Sequence, residues 1–333
     1  MSDHLDSLIH RVDLDELVRY VDNTCGDRDF EHLIEIRNRA RAAVDTGRQL
    51  WPIATLANYR LALYAPAYLA VRSFDDTART FMPGPLSEII STRHHWDELA
   101  DHLPDGPDRS LVAYERALRG DTITTDETQA LDIPVTPLSW EPQYPIATYD
   151  DDGVHCDPPP LPRVASTRQV RDDFEEDCVI DDDDTATAVH ELFSPWTTES
   201  NGKVSVTVVD GTIQDALTAH GIADADTEPL TTSTAFALLA WAGASGGAHG
   251  TRRGMATGRF GAWWLCATIA DIADNWPLTD PESEQIINAL QWERFVHPSA
   301  DTNGWVVHLA VHDPSTGVSV CINASDSVND SST

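Results

Sequence analysis

Residues 229–270 contain no Asp or Glu, in a chain that carries 55 of them among 333 residues, where an even spread would put about seven. A segment kept free of acids in so acidic a chain is predicted to be buried. Small residues recur within it at every fourth position, from Ala242 through Gly246, Gly250, Gly254, Gly258, Ala262 and Cys266 to Ala270. On a helix that spacing forms one stripe, along which a second helix can approach closely. The same stretch holds Arg252, Arg253, Arg259 and the Trp263-Trp264 pair. The expectation is a buried helical hairpin with a positively charged, glycine-rich elbow.

The surrounding composition fixes the class of protein. With 41% hydrophobic residues and ten Trp, the chain can fill cores of ordinary size, and its length allows two domains. The net charge is −33, and Lys203 is the only lysine among 22 basic residues. An acid-coated surface almost free of lysine suits molar salt, where screening removes self-repulsion and carboxylates hold water. The charge is therefore read as a solvent adaptation. It disfavours nucleic acid as a partner, because that binding needs clustered cations. Five cysteines without CxxC spacing argue for a reducing compartment and against a zinc knuckle. The first residues lack an apolar signal core, and residues 235–248, the longest apolar run, are too short to span a membrane. A cytoplasmic protein is expected, with no metal site and no identifiable cofactor.

Along the chain, residues 1–131 read as a helical region. Asp29 is placed to cap a helix that Gly47 stops. Arg37, Arg39 and Arg41 on that helix are predicted to form a solvated face, with Glu35 and Arg39 at pairing distance. A second acid-free window covers residues 46–74, with Pro52 suited to a helix start and Pro66 to a break. The two acid-free windows are expected to bury against each other or against one core. Of the adjacent His94 and His95, one is expected buried and one exposed, since helix neighbours point about 100° apart and cannot share a metal.

Residues 132–185 form a Pro-rich and acidic connector. Its first half carries Pro134, Pro137, Pro142 and Pro145, and Trp140 and Tyr144 suggest that it is pinned to a surface. Its second half ends in nine acids within residues 172–184, read as a solvated linker. Residues 186–325 are predicted to be an α+β domain built around the hairpin, and residues 326–333 a frayed tail. The fold class is α+β, a helical N-terminal region followed by a mixed C-terminal domain.

Two places can carry chemistry. At the elbow, His249, Arg252 and Arg253 stand among glycines whose N–H groups can converge on a phosphate or carboxylate. Arg259 stands four residues before Trp263 and is expected to lie on its indole. The second place is the stretch from Trp196 to Lys203, where Glu199, Asn201 and Lys203 gather in a strand-entry turn. The preferred function is a noncatalytic binding or scaffolding protein, its partner an unidentified protein or a small anionic ligand. The alternative is an enzyme acting on a small anionic substrate at the elbow, with Glu199 or Lys203 assisting.

Three segments carry a likeness: Thr92-Arg93-His94-His95-Trp96-Asp97-Glu98-Leu99 with Tyr114-Glu115-Arg116-Ala117-Leu118-Arg119-Gly120; Pro195 through Lys203; and Ser245-Gly246-Gly247-Ala248-His249-Gly250 through Phe260. Over residues 80–325 the chain resembles an uncharacterised family seen mainly in actinobacteria, with haloarchaeal members. The resemblance implies a shared fold and no known activity, so it assigns no catalytic residue.

Transfer from molar KCl to dilute buffer is expected to unfold the protein, as followed by far-ultraviolet circular dichroism; an unchanged spectrum would remove the salt-adaptation argument.

Overall fold

The structure, a computed structural model, describes residues 2–76, 81–123, 130–164, 166–169, 178–222, 224–278, 281–296 and 304–327. The fold is α+β, with helices at the N-terminus and a sheet in the C-terminal part. The chain divides into two compact units: residues 1–130 with 147–155, and residues 131–146 with 156–333. Residues expected to form a connector thus belong partly to each. No helix among the described residues is long and apolar enough to cross a membrane.

In the first unit, α1 (Ser2–Arg11), α2 (Leu14–Gly26), α3 (Phe30–Asp45) and α4 (Trp51–Tyr64) are followed by α5 (Ala67–Ala70), α6 (Leu86–Ile90), α7 (Trp96–Leu99) and α8 (Pro107–Leu118). A small hairpin, β1 (Thr148–Asp150) with β2 (Gly153–His155), completes the unit. Asp13 and Asp29 cap α2 and α3 by accepting the Glu16 and His32 amides, each at 3.2 Å. Pro52 lies in the first turn of α4, where its missing N–H costs nothing, and the helix stops before Pro66. Between them Ile53, Ala54, Ala57, Leu61 and Ala62 are fully buried, because α2 and α3 pack on this apolar helix.

Arginine placement differs from the sequence expectation. Arg39 pairs with Glu35 at 2.5 Å as predicted, but Arg37 is buried and donates to Asn58 Oδ1 at 2.9 Å and to the Arg72 carbonyl at 2.7 Å. Arg41 reaches Asp76 at 2.6 Å. These partners are 21 to 35 residues away in sequence, so local spacing could not reveal them.

The second unit contains β3 (Ser166–Gln169), α9 (Asp183–Leu192), α10 (Ser194–Thr198), β4 (Lys203–Asp210), α11 (Ile213–Ala219), β5 (Asp224–Leu230), α12 (Thr232–Ser245) and α13 (Met255–Ile269). It ends with α14 (Pro281–Ala289), β6 (Gln291–Val296), β7 (Gly304–His312) and β8 (Val318–Ser327). The strands form one antiparallel sheet in the order β3-β5-β6-β7-β8-β4. One sheet face meets α11 in a cluster that includes Val209, Ala216, Leu217, Phe295 and Ala310. By strand alternation Val307, Leu309, Val311 and Ile322 face the other way, and α12 packs against β6 and β7.

The acid-free stretch forms α12 and α13 as expected, both buried nearly all round. Their contact is backbone to backbone: a Cβ added to Gly258 would stand 2.0 Å from the Ala240 carbonyl and 2.7 Å from Ala244 Cβ. The two acid-free windows, expected to bury against each other or against one core, fall in different compact units. Residues 46–74 belong to the first unit and residues 229–270 to the second, and each is central to its own packing.

The acidic run is also reassigned in part. Residues 170–177 lie outside the described residues, but Asp181 and Asp182 lead directly into α9, where Asp182 accepts the Thr185 amide at 2.9 Å. Asp183 and Asp184 occupy the first turn, where a helix favours negative charge. At the C-terminus β8 continues to Ser327, so the expected tail begins no earlier than residue 328, and residues 328–333 lie outside the described residues.

Gly258→Ala is expected to destabilise the protein by about 3 kcal/mol through overpacking. Gly26→Ala, in the last turn of α2 with nothing within 4 Å of its added Cβ, is expected to change stability by less than ~1 kcal/mol. Guanidinium unfolding midpoints in molar salt check this, and equal midpoints for both variants would contradict the close helix contact.

Candidate functional site

The elbow between α12 and α13 is a folded turn whose glycines are used internally. Gly246 ends α12 with φ 80°, and a Cβ there would stand 2.2 Å from the Thr251 carbonyl oxygen. A Cβ on Gly250 would stand 2.1 Å from the Gly246 carbonyl oxygen. These glycines therefore close the turn on itself.

The structure brings the second sequence candidate onto this turn. Ser200 Oγ accepts the His249 amide at 3.0 Å, and Glu199 Oε2 accepts the Thr251 amide at 3.3 Å. From the end of β8, Asp326 Oδ2 accepts the Ala248 amide. His249 Nε2 donates to the Ser327 carbonyl at 3.1 Å. The elbow amides expected to converge on an anion are thus committed to Glu199, Ser200 and Asp326. Asn201 is exposed in the turn that leads into β4, and Lys203 is exposed as the first residue of that strand.

The three arginines separate. Arg259 and Glu141 have fully buried side chains, and Arg259 Nε and Nη2 donate to the two Glu141 oxygens at 2.6 Å each. Arg259 Nη1 donates to the Pro134 carbonyl at 2.6 Å. Burial works to discharge this guanidinium, and the hydrogen bonds and charge of Glu141 reverse that, holding it above its usual value. Burial, and then the Glu141 charge, push the neighbouring Tyr144 phenol well above its usual range. The expectation that Arg259 lies on Trp263 gives way to this ion pair. Trp263 instead meets Trp140 and Phe236 edge to face, at 5.1 and 6.1 Å. Arg252 is buried. Arg253 is exposed, and its amide donates to the Ala244 carbonyl at 2.8 Å.

Arg253 lines a cleft of about 550 Å³ between α9 and α13. Phe260 and Trp264 form an aromatic wall, each in contact with Trp276. Leu192 packs on two other glycines of the hairpin: a Cβ on Gly243 or Gly261 would stand 2.6 or 2.7 Å from its Cδ1. Polar groups at the cleft are Thr187, His190, Glu191, Ser194 and Thr257 beside Arg253. The volume suits a small molecule, and an aromatic wall with few polar groups is ordinary for such sites. Among the sequence-chosen residues only Arg253 is here. The α9 residues gave no local signal, because only tertiary packing carries that helix across α13.

These features define an α+β protein whose second unit offers a helix-walled cleft with one exposed arginine. The chain belongs to a family of unknown function, DUF6183, which matches residues 15–327 and so extends the likeness seen in sequence toward the N-terminus. No curated protein and no solved structure matches the chain.

If the elbow is fastened by side chains, Ser200→Ala should accelerate hydrogen exchange at the His249 amide about fivefold, and Glu199→Gln should do less at Thr251. Mass-spectrometric exchange measures both, and unchanged rates would show that the turn holds without them.

Proposed function

We propose that this protein is a noncatalytic binding protein of a salt-adapted cytoplasm, and that its cleft between α9 and α13 takes a small anion with a flat apolar body. The observation that carries this reading is Arg253. Its guanidinium makes no hydrogen bond or ion pair among the described residues, in a chain with 55 acids, and it stands at a cleft with an aromatic wall. A carboxylate or phosphate would engage that guanidinium with two parallel hydrogen bonds, while Phe260 and Trp264 cover the apolar body. His190, Ser194 and Thr257 supply further donors for its oxygens. Association with a protein partner through the same arginine is the scaffolding form of this reading.

The competing reading is an enzyme acting on a small anionic substrate. It has less support, because Glu199 and Lys203 are not among the residues at the cleft and Glu199 holds the elbow. An acid or base within reach of a bound substrate is the first requirement of such chemistry, and at this cleft His190 and Glu191, not the residues expected to assist, are the groups that could meet it.

Calorimetric titration with 2-naphthoate and phenyl phosphate in molar KCl tests the binding reading. Binding of either is expected, weakened about tenfold or more in Arg253→Gln. An affinity unchanged by that substitution would sink the assignment, and turnover of phenyl phosphate dependent on His190 would favour the enzyme.

A further inference from the structure

A second cleft, of about 520 Å³, lies in the first unit, between the turn entering α3 and the break between α4 and α5. Its chemistry is opposite to that of the Arg253 cleft. Phe30, Tyr64, Tyr68 and His94 present four rings to it. Tyr68 is 57% exposed, an unusual position for a large aromatic side chain, and meets His102 edge to face at 6.3 Å. Asp29 and Glu31, both exposed, stand at the same cleft.

The backbone contributes both signs, since α3 begins at this cleft with the partial positive charge of a helix start, which Asp29 caps. The C-terminal end of α4, at Tyr64, opens here, and the end of a helix carries partial negative charge on its last carbonyls. Pro66 brings no N–H to the carbonyl four residues before it. His94 hydrogen-bonds to the Ala65 backbone, and burial lowers its pKa, so the ring is neutral at pH 7 and adds no repelling charge. Two opposing charges are near: the exposed Arg28 at the cleft, and Arg72, whose Nη1 stands 3.5 Å from Glu31 Oε2 in an exposed pair that a ligand cation would have to share. Arg93 already lies over Tyr64, 5.8 Å from its centroid, which leaves Tyr68 as the ring for a ligand cation.

We propose that this cleft binds a small organic cation with N–H donors, a primary ammonium carried on an apolar body. The aromatic faces attract the cation, while the carboxylates and the helix-end carbonyls accept its hydrogen bonds. A simple metal ion is a poorer fit, since rings stand where hard cations require oxygen ligands. An anion is a poorer fit still, facing Asp29 and Glu31.

Three probes of one shape test this by calorimetry in molar KCl, where diffuse attraction to the acidic surface is screened. They are benzylammonium, benzyltrimethylammonium, which keeps the charge without N–H, and benzyl alcohol, which lacks the charge. Benzylammonium is expected to bind about tenfold tighter than either. Tyr68→Ala and Glu31→Gln, both at exposed positions, should each weaken it roughly three- to tenfold while leaving the unfolding midpoint in place. Equal affinity for the three probes, no binding of benzylammonium, or an affinity unaffected by Tyr68→Ala would each overturn the proposal.

Discussion

The second unit depends on one constraint: α12 and α13 lie so close that the Gly258 backbone touches the Ala240 carbonyl and Ala244. Two helices at that separation make a thin slab with usable surface on each side. One side covers the sheet through β6 and β7. Elsewhere on the slab Leu192 of α9 packs against Gly243 and Gly261, and all three line the Arg253 cleft. Cleft, elbow and sheet therefore share a single packing decision. Larger side chains at Gly243 or Gly261 would meet Leu192, push α9 outward and change the cleft before they changed the sheet.

The buried Arg259 and Glu141 pair acts on the same slab in another way. It ties the proline-rich segment of residues 131–146 to α13, with the Pro134 carbonyl and the Tyr144 hydroxyl completing the network. A proline-rich segment offers few backbone donors and makes no regular ladder, so side chains must hold it. Two charges removed from water cost several kcal/mol each, and bidentate geometry with every group satisfied is what offsets that cost. Such a pair adds little net stability over a hydrophobic pair of the same shape. It does specify where the segment lies, because loss of either partner would strand a charge.

The two clefts differ in sign for reasons visible in their elements. In the second unit the cleft collects an arginine from the end of the elbow and aromatic rings from α13. In the first unit the cleft collects carboxylates from the start of α3 and the carbonyl end of α4, around four rings. A chain with 55 acids has no scarcity of negative charge, so the exposed Arg253 is the more selective feature. Negative charge at the first cleft becomes informative only because aromatic faces accompany it.

Residues 229–270 announced themselves in sequence because burial excludes unpaired acids and close helix contact requires small side chains. Both are local consequences of environment on composition, so they were legible residue by residue. The cap at Asp29, the helix start at Pro52 and the break at Pro66 were fixed locally as well. The partners of the arginines were not. Arg37, Arg253 and Arg259 look alike along the chain, yet one is buried against a helix, one faces a cleft and one is locked to Glu141, 118 residues away. A guanidinium is long and fits many surroundings, so only the folded positions of its neighbours decide which role it takes. The sequence by itself determined which segments are buried and where helices start and stop. The tertiary structure alone decided that the two acid-free windows build two cores, and which of Arg37, Arg253 and Arg259 stands at a cleft, because both depend on contacts between segments far apart in the chain.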